Sequence, residues 1–209
     1  MEPIVVTDGA DVFTCNAYLV DGATPTLVDA GTMPGVDDVI ASHVDDLDQV
    51  VLTHQHGDHV GELDAVLDRF NADLFAYADH PRRTAAIDDG DTITIGDDSF
   101  EAIHTPGHAD DHLSFVSDEM LFSGDVIVYN DGAFNDGSFG RTDRRGQSRE
   151  RLIDSLTELL DRLPASVSAM YAGHGDPFNP TGNNNDDVRT VIERALDRAE
   201  RREPKYPAE

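Results

Sequence analysis

Residues 50–64 read VVLTHQHGDHVGELD and place His54, His56, Asp58 and His59 within six positions of one another. An apolar run precedes them and helical spacing follows. In extended or turn geometry, side chains two residues apart point the same way. His54 and His56 can therefore share one ion. Asp58 and His59, one step further on as the chain enters the next helix, face a neighbouring position. Imidazole and carboxylate donors suit a borderline divalent ion such as Zn²⁺. One turn supplies at most two ligands per ion, so a complete site must recruit residues from elsewhere in the chain.

The rest of the chain offers three candidates, each after an apolar run and each beside a glycine: His108 in IHTPGHADDH, Asp125 in LFSGDVIV and His174 in MYAGHGDPF. A neighbouring glycine permits a tight turn or a close backbone approach. Short apolar runs bounded by Asp-Gly and Thr-Pro signals predict strands at residues 4–7, 17–21 and 25–32. The run at 48–53 does not alternate and reads as a strand buried on both faces. Residues 35–44 and 61–70 have helical patterning, 72–78 reads as strand, and 79–87 as a short helix or loop. Four more strands are expected at 91–95, 99–105, 112–117 and 119–128. A polar, Gly-rich stretch follows over residues 129–147, long for a plain connection.

The clearest helix covers 148–163, with Leu152, Ile153, Leu156, Leu159, Leu160 and Leu163 on one face and Pro164 ending it. After a strand at 166–173, a closing helix carries Val188, Val191, Ile192, Ala195, Leu196 and Ala199 on one stripe, and the tail from 203 is expected to be loose. The order strands, helix, strand, helix occurs twice, and two sheets with helices outside bury both patterns.

With 209 residues and 39% apolar content, one sizeable core is expected. The lone cysteine, Cys15, can form neither an internal disulfide nor a cysteine zinc site, and it lies outside every motif. That fits a reducing compartment, most simply the cytoplasm. No apolar stretch is long enough for a membrane span, and the N-terminus has no signal-peptide pattern. Acidic residues number 42 against 15 basic ones, a net charge of −27, and only Lys205 among the bases is not arginine. Self-repulsion on this scale opposes compaction in dilute salt. At about 1 M salt the Debye length falls to about 3 Å and most of the penalty is screened. The composition resembles that of proteins from extreme halophiles. The expected result is a thermal melt that gains stability between about 0.1 and 2 M KCl; a flat response contradicts the halophilic reading.

Taken together, THQHGDHVG, TPGH, SGD and AGHG, with LVDAGT upstream, resemble the metallo-β-lactamase superfamily over about residues 18–178, all five motifs in the family's order. The resemblance implies a single domain over 1–209 with the α/β fold of that family: an αβ/βα four-layer sandwich of two mixed sheets with outer helices, the metals at one edge. It also implies the pairing of distant ligands, which spacing alone leaves open. His54, His56 and His108 fall on one ion, Asp58, His59 and His174 on the other, and Asp125 bridges them. Asp29 matches the family's aspartate that supports the metal-binding turn without binding metal. The implied cofactor is two Zn²⁺, with Fe²⁺ or Mn²⁺ as alternatives. Of the other histidines, His43 and His80 read as solvated or structural and His104 as strand-end packing. His112 has two open readings, a helix cap or an acid reaching the site.

Two ions about 3.5–4 Å apart activate water and polarise an electrophile, so the expected chemistry is hydrolysis with Asp58 as ligand and orienter. No phosphate-binding Gly-rich loop and no serine or cysteine nucleophile is evident. SFGRTD resembles the loop of short glyoxalase II-like proteins and also that of mono-iron persulfide dioxygenases, whereas TPGHADDH resembles short lactamase-like endoribonucleases. Arg141, Arg144, Arg145, Arg149 and Arg151 lie close together in an otherwise acidic chain. Arg141 and Arg144 are candidates to bind an anionic substrate; the plainer reading is that these arginines balance local acids.

The leading expectation is a small anionic thioester or acyl ester. One helix follows His174, against the larger helical region with which full glyoxalase II holds glutathione, which puts that thiol carrier in doubt. Single-stranded RNA is the alternative substrate. It is weakened by the net charge, by the lack of an RNA-binding arm and by the salt sensitivity of phosphate contacts. Persulfide oxidation on one Fe²⁺, held by His54, His56 or His59, His108 and Asp125, is a third reading, and a non-catalytic metal-stabilised module a fourth. No membrane partner is expected, and the oligomeric state is not legible.

Overall fold

The computed structural model describes residues 2–179 and 186–204. The expected loose tail beyond 204, including Lys205, and the first residues of the expected closing helix lie outside the described residues. The chain divides into two compact units, residues 1–102 and 103–209.

The first unit is built from β1 (Ile4–Val5), β2 (Tyr18–Val20), β3 (Thr26–Val28), α1 (Val36–Ala41), β4 (Gln49–Val51), α2 (Gly57–Val60), α3 (Leu63–Phe70), β5 (Asp73–Ala76) and β6 (Ala85–Ala86). Its six strands pair in chain order, β1-β2-β3 antiparallel and β3-β4-β5-β6 parallel. The helical stripes do what their spacing predicts: Val36 and Ile40 of α1 and Leu63, Val66 and Leu67 of α3 pack with Leu19, Leu27, Val50 and Leu74 from the strands. All three residues of β4 are buried, as its non-alternating run implies. Residues 79–87 form no helix; Thr84 donates its backbone N–H to the Leu74 carbonyl and leads into the short strand β6.

The second sheet runs β11-β10-β9-β8-β7, from β7 (Thr92–Ile95), β8 (Asp98–His104), β9 (Leu113–Val116), β10 (Met120–Gly124) and β11 (Ala169–Ala172). It too is mixed, since β10 is antiparallel to β9 and parallel to β11. In the second unit α4 (Arg149–Arg162) and α5 (Val188–Glu200) bury Leu152, Leu156, Leu159, Val188, Val191, Ile192, Ala195 and Ala199 with Val116, Leu121 and Met170 of the strands. Ser148 caps α4, accepting from Arg151 N–H, and Asp187 caps α5, accepting from Thr190 N–H. The hydrogen bonds from Thr190 hold the Asp187 carboxyl below its ordinary range.

One strand is shorter than its apolar run. The pattern through 119–128 continues, but β10 stops at Gly124, whose φ of 50° turns the chain. Val126, Ile127 and Val128 are buried in the core without being part of the strand. That turn is what presents Asp125. Among the described residues, no helix is long and apolar enough to cross a membrane.

Candidate metal centre

In the first unit the histidine turn follows β4 directly. Thr53 donates its backbone N–H to Asp29 Oδ1 at 2.8 Å and its hydroxyl to Oδ2 at 2.7 Å. With that proton committed, Thr53 Oγ1 accepts from His54 Nδ1 at 3.1 Å. His59 Nδ1 donates to Asp29 Oδ2 at 2.8 Å. Asp29 holds this position at a φ of 59°, a left-handed backbone that L residues adopt only at an energetic cost. The His59 carbonyl accepts from the N–H groups of Ala30 and Gly31, so the α2 turn and the end of β3 are bonded to each other. Asp58, half-buried, accepts at its carbonyl from Cys15 N–H.

These bonds set the tautomers. His54 and His59 each place their Nδ1 proton on a protein oxygen, leaving Nε2 as a lone pair in the neutral ring. His54 Nε2 lies 3.0 Å from His56 Nδ1, and the His54 and His59 ring centroids are 4.0 Å apart. A histidine that ligates a metal characteristically donates its other N–H to a carboxylate, carbonyl or similar oxygen.

The second unit has the same preparation. His108 donates its Nδ1 proton to the Arg141 carbonyl at 2.9 Å. Its Nε2 lies 3.3 Å from Asp125 Oδ2, and His174 Nε2 lies 3.5 Å from that same oxygen. Asp125 is 5% exposed. One buried carboxylate oxygen thus lies close to two imidazole nitrogens, a grouping of donors that a divalent cation can take up. The donor set fits divalent metal.

Two glycines bring the backbone close to these ligands. At Gly140 an added Cβ would lie 2.3 Å from the Asp125 carbonyl oxygen and 2.6 Å from His108 Nδ1. Gly140 N–H donates to that same carbonyl at 2.7 Å. Gly107, at a φ of 140°, lies so near α4 that a Cβ would come within 2.5 Å of Leu152 N.

The metallo-β-lactamase superfamily profile matches residues 10–174. The chain belongs to the metallo-β-lactamase superfamily. The match runs through both units, and the two mixed sheets flanked by helices are that superfamily's fold. A hydroxyacylglutathione hydrolase of Xylella fastidiosa (strain M23) is 40% identical over 82 residues, 37% of this chain and 31% of that protein. The probable polyketide biosynthesis zinc-dependent hydrolase PksB of Bacillus subtilis is 30% identical over 142 residues, 65% of this chain and 60% of its own length. The chain thus spans less than two thirds of either relative. Among solved structures, ETHE1 from Myxococcus xanthus superposes with a TM-score of 0.71 at 22% identity, covering 99% of this chain and 92% of that one.

Of the residues expected to bind metal in a metallo-β-lactamase relative, the first unit gathers His54, His56 and His59 over Asp29, with Asp58 in the same turn. The second unit gathers His108, Asp125 and His174. His112 is fully buried behind Asp125 and bonded through both ring nitrogens, an arrangement taken up below.

Arg141 turns its guanidinium onto Asp143 through bonds of 3.0 and 2.9 Å, which hold the Asp143 carboxyl below the ordinary carboxylate range. What Arg141 supplies to His108 is its backbone carbonyl. Arg144 is exposed. Arg149 stacks over Phe139 at 4.1 Å and donates to Thr142, and Arg151 pairs with Asp110. Three of the five arginines thus contact local acids or brace the loop.

Some residues at the centre carried no sequence signal. Cys15 is one: its Sγ, a carboxylate oxygen of Asp29 and a ring nitrogen of His59 lie within 4.8 Å of one another, all in buried side chains. The Arg141 carbonyl is another; a main-chain oxygen looks alike wherever it occurs.

Proposed function

We propose that the chain is a dinuclear metal-dependent hydrolase acting on a small anionic thioester or related acyl ester. His54, His56 and His108 hold one ion, Asp58, His59 and His174 the other, and Asp125 is shared. The observation that carries this reading is the placement of one buried Asp125 oxygen 3.3 Å from His108 Nε2 and 3.5 Å from His174 Nε2, while the His108 Nδ1 proton is committed to Arg141. Divalent ions, when bound, supply Lewis acidity that brings water's pKa toward about 7 and polarises an acyl carbon. Asp58 orients the attacking water. Asp29 and Thr53 hold the histidine turn in register, and the Arg141 carbonyl holds His108.

The thioester class rests on the similarity to hydroxyacylglutathione hydrolase over 82 residues and on the SFGRTD loop. With its single, buried cysteine and dense acidic charge, the protein is assigned to a reducing, salt-rich cytoplasm. Metal content and turnover in high salt test the proposal together. Two zinc ions per chain and hydrolysis of an S-lactoylglutathione-type thioester are expected. One iron per chain with persulfide oxidation, or cleavage of a labelled RNA ladder without thioester turnover, overturns it.

A further inference from the structure

We propose that His112 is a positioning residue that acts through Asp125, and not an acid. This deepens the reading of Asp125 as a metal ligand and rests on it. The Asp125 backbone N–H donates to His112 Nε2 at 2.9 Å. An amide only donates, so Nε2 has no proton. The ring's proton then sits on Nδ1, which donates to Thr105 Oγ1 at 2.8 Å. The Thr105 hydroxyl also shares a hydrogen bond with Ser114 Oγ at 3.0 Å, and its backbone N–H donates to the His112 carbonyl at 2.8 Å. His112, Thr105, Ser114 and Asp125 are all buried. The relay is complete with a neutral imidazole in one tautomer, and buried networks of this kind fix geometry when every member is satisfied.

The consequence is a division of labour. Asp125 follows the turn at Gly124, where β10 ends. Its amide is held by His112 and its carbonyl by Gly140 N–H at 2.7 Å. The peptide groups on both sides of its Cα are thus held, with the carboxylate Oδ2 near His108 and His174. A proton on Nε2, which an acid role demands, breaks the bond to the Asp125 amide and releases that grip. His112 and His108, four residues apart, therefore do different work with the same imidazole. His108 anchors its Nδ1 and turns Nε2 outward to Asp125 Oδ2, whereas His112 anchors its Nδ1 and turns Nε2 to a main-chain amide.

The test begins with the intact zinc-loaded protein. A long-range proton–nitrogen correlation spectrum of histidine-labelled protein, with His112 assigned by its loss in His112→Gln, is expected to display a bare Nε2 and a protonated Nδ1. An Nε2–H tautomer or an imidazolium at neutral pH overturns the proposal, whether or not any variant folds. The second readout is metal retention, followed by chelator competition and by the visible bands of the cobalt-loaded protein. His112→Leu is expected to weaken retention by about 10–100-fold. His112→Gln, whose amide oxygen can accept from the Asp125 N–H, is expected to restore most of it, and Thr105→Val to fall between. If His112→Gln instead keeps metal affinity and cobalt bands but loses turnover, the residue is an acid and the proposal fails. Should the wild type bind no metal, the ligand reading falls by itself, and the tautomer still decides the role of His112.

Discussion

Asp125→Ala is expected to lose bound metal and about 100-fold or more of kcat, while the metal-free chain stays as stable as before or gains stability. The second half of that expectation separates a metal ligand from a structural carboxylate. Asp125 is nearly buried, and its Oδ2 lies 3.3 Å from His108 Nε2. Removing a buried carboxylate relieves its desolvation without breaking any bond made by the Asp125 main chain, which is held by His112 and Gly140. In excess metal the wild type gains linkage stabilisation, about 2.7 kcal/mol at a hundred times Kd, and the variant forfeits it. Paired melts with chelator and with zinc read the difference. A variant that retains both ions and full turnover ends the ligand reading of Asp125; one that collapses equally in chelator makes the residue structural.

Gly140→Ala is expected to damage the same centre from outside the ligand set. The new methyl group would lie 2.3 Å from the Asp125 carbonyl oxygen and 2.6 Å from His108 Nδ1. One neighbour is main chain and the other is a ring whose Nδ1 is tied to the Arg141 carbonyl, so neither gives way cheaply. Overpacking of this kind costs about 1–3 kcal/mol. Because the displaced atoms belong to two ligands, metal affinity is expected to fall by about 10–100-fold as well. Denaturation midpoints and chelator competition measure the two losses separately. Wild-type values in both would mean that the SFGR loop does not clamp His108 and Asp125.

These expectations change the meaning of the arginine loop. Charge alone made Arg141 and Arg144 candidates for an anionic substrate. Geometry adds a task for the main chain of the loop, since Gly140 N–H bonds the Asp125 carbonyl and the Arg141 carbonyl bonds His108 Nδ1, while the Arg141 guanidinium bonds Asp143. Main-chain donors and acceptors have no residue signature, and their role depends on which distant segment meets them.

Local pattern was enough wherever a function needs neighbours in sequence. The 54–59 turn was legible because its donors sit within one turn and their side-chain directions follow from backbone periodicity. Helices α4 and α5 were legible because their apolar residues recur at helical spacing, and those residues are the ones buried. The run through 119–128 misled in length for the same reason: apolar pattern reports burial, and Val126 to Val128 are buried without being β-strand. His112 stayed open between a cap and an acid, because the same imidazole serves either role. The Thr105 hydroxyl and the Asp125 amide choose its tautomer. Cys15 had no motif, yet it lies with Asp29 and His59. Spacing along a chain shows which neighbouring side chains can share an ion; folding determines which proton each imidazole keeps, because the deciding partners are main-chain groups and hydroxyls brought in from other segments.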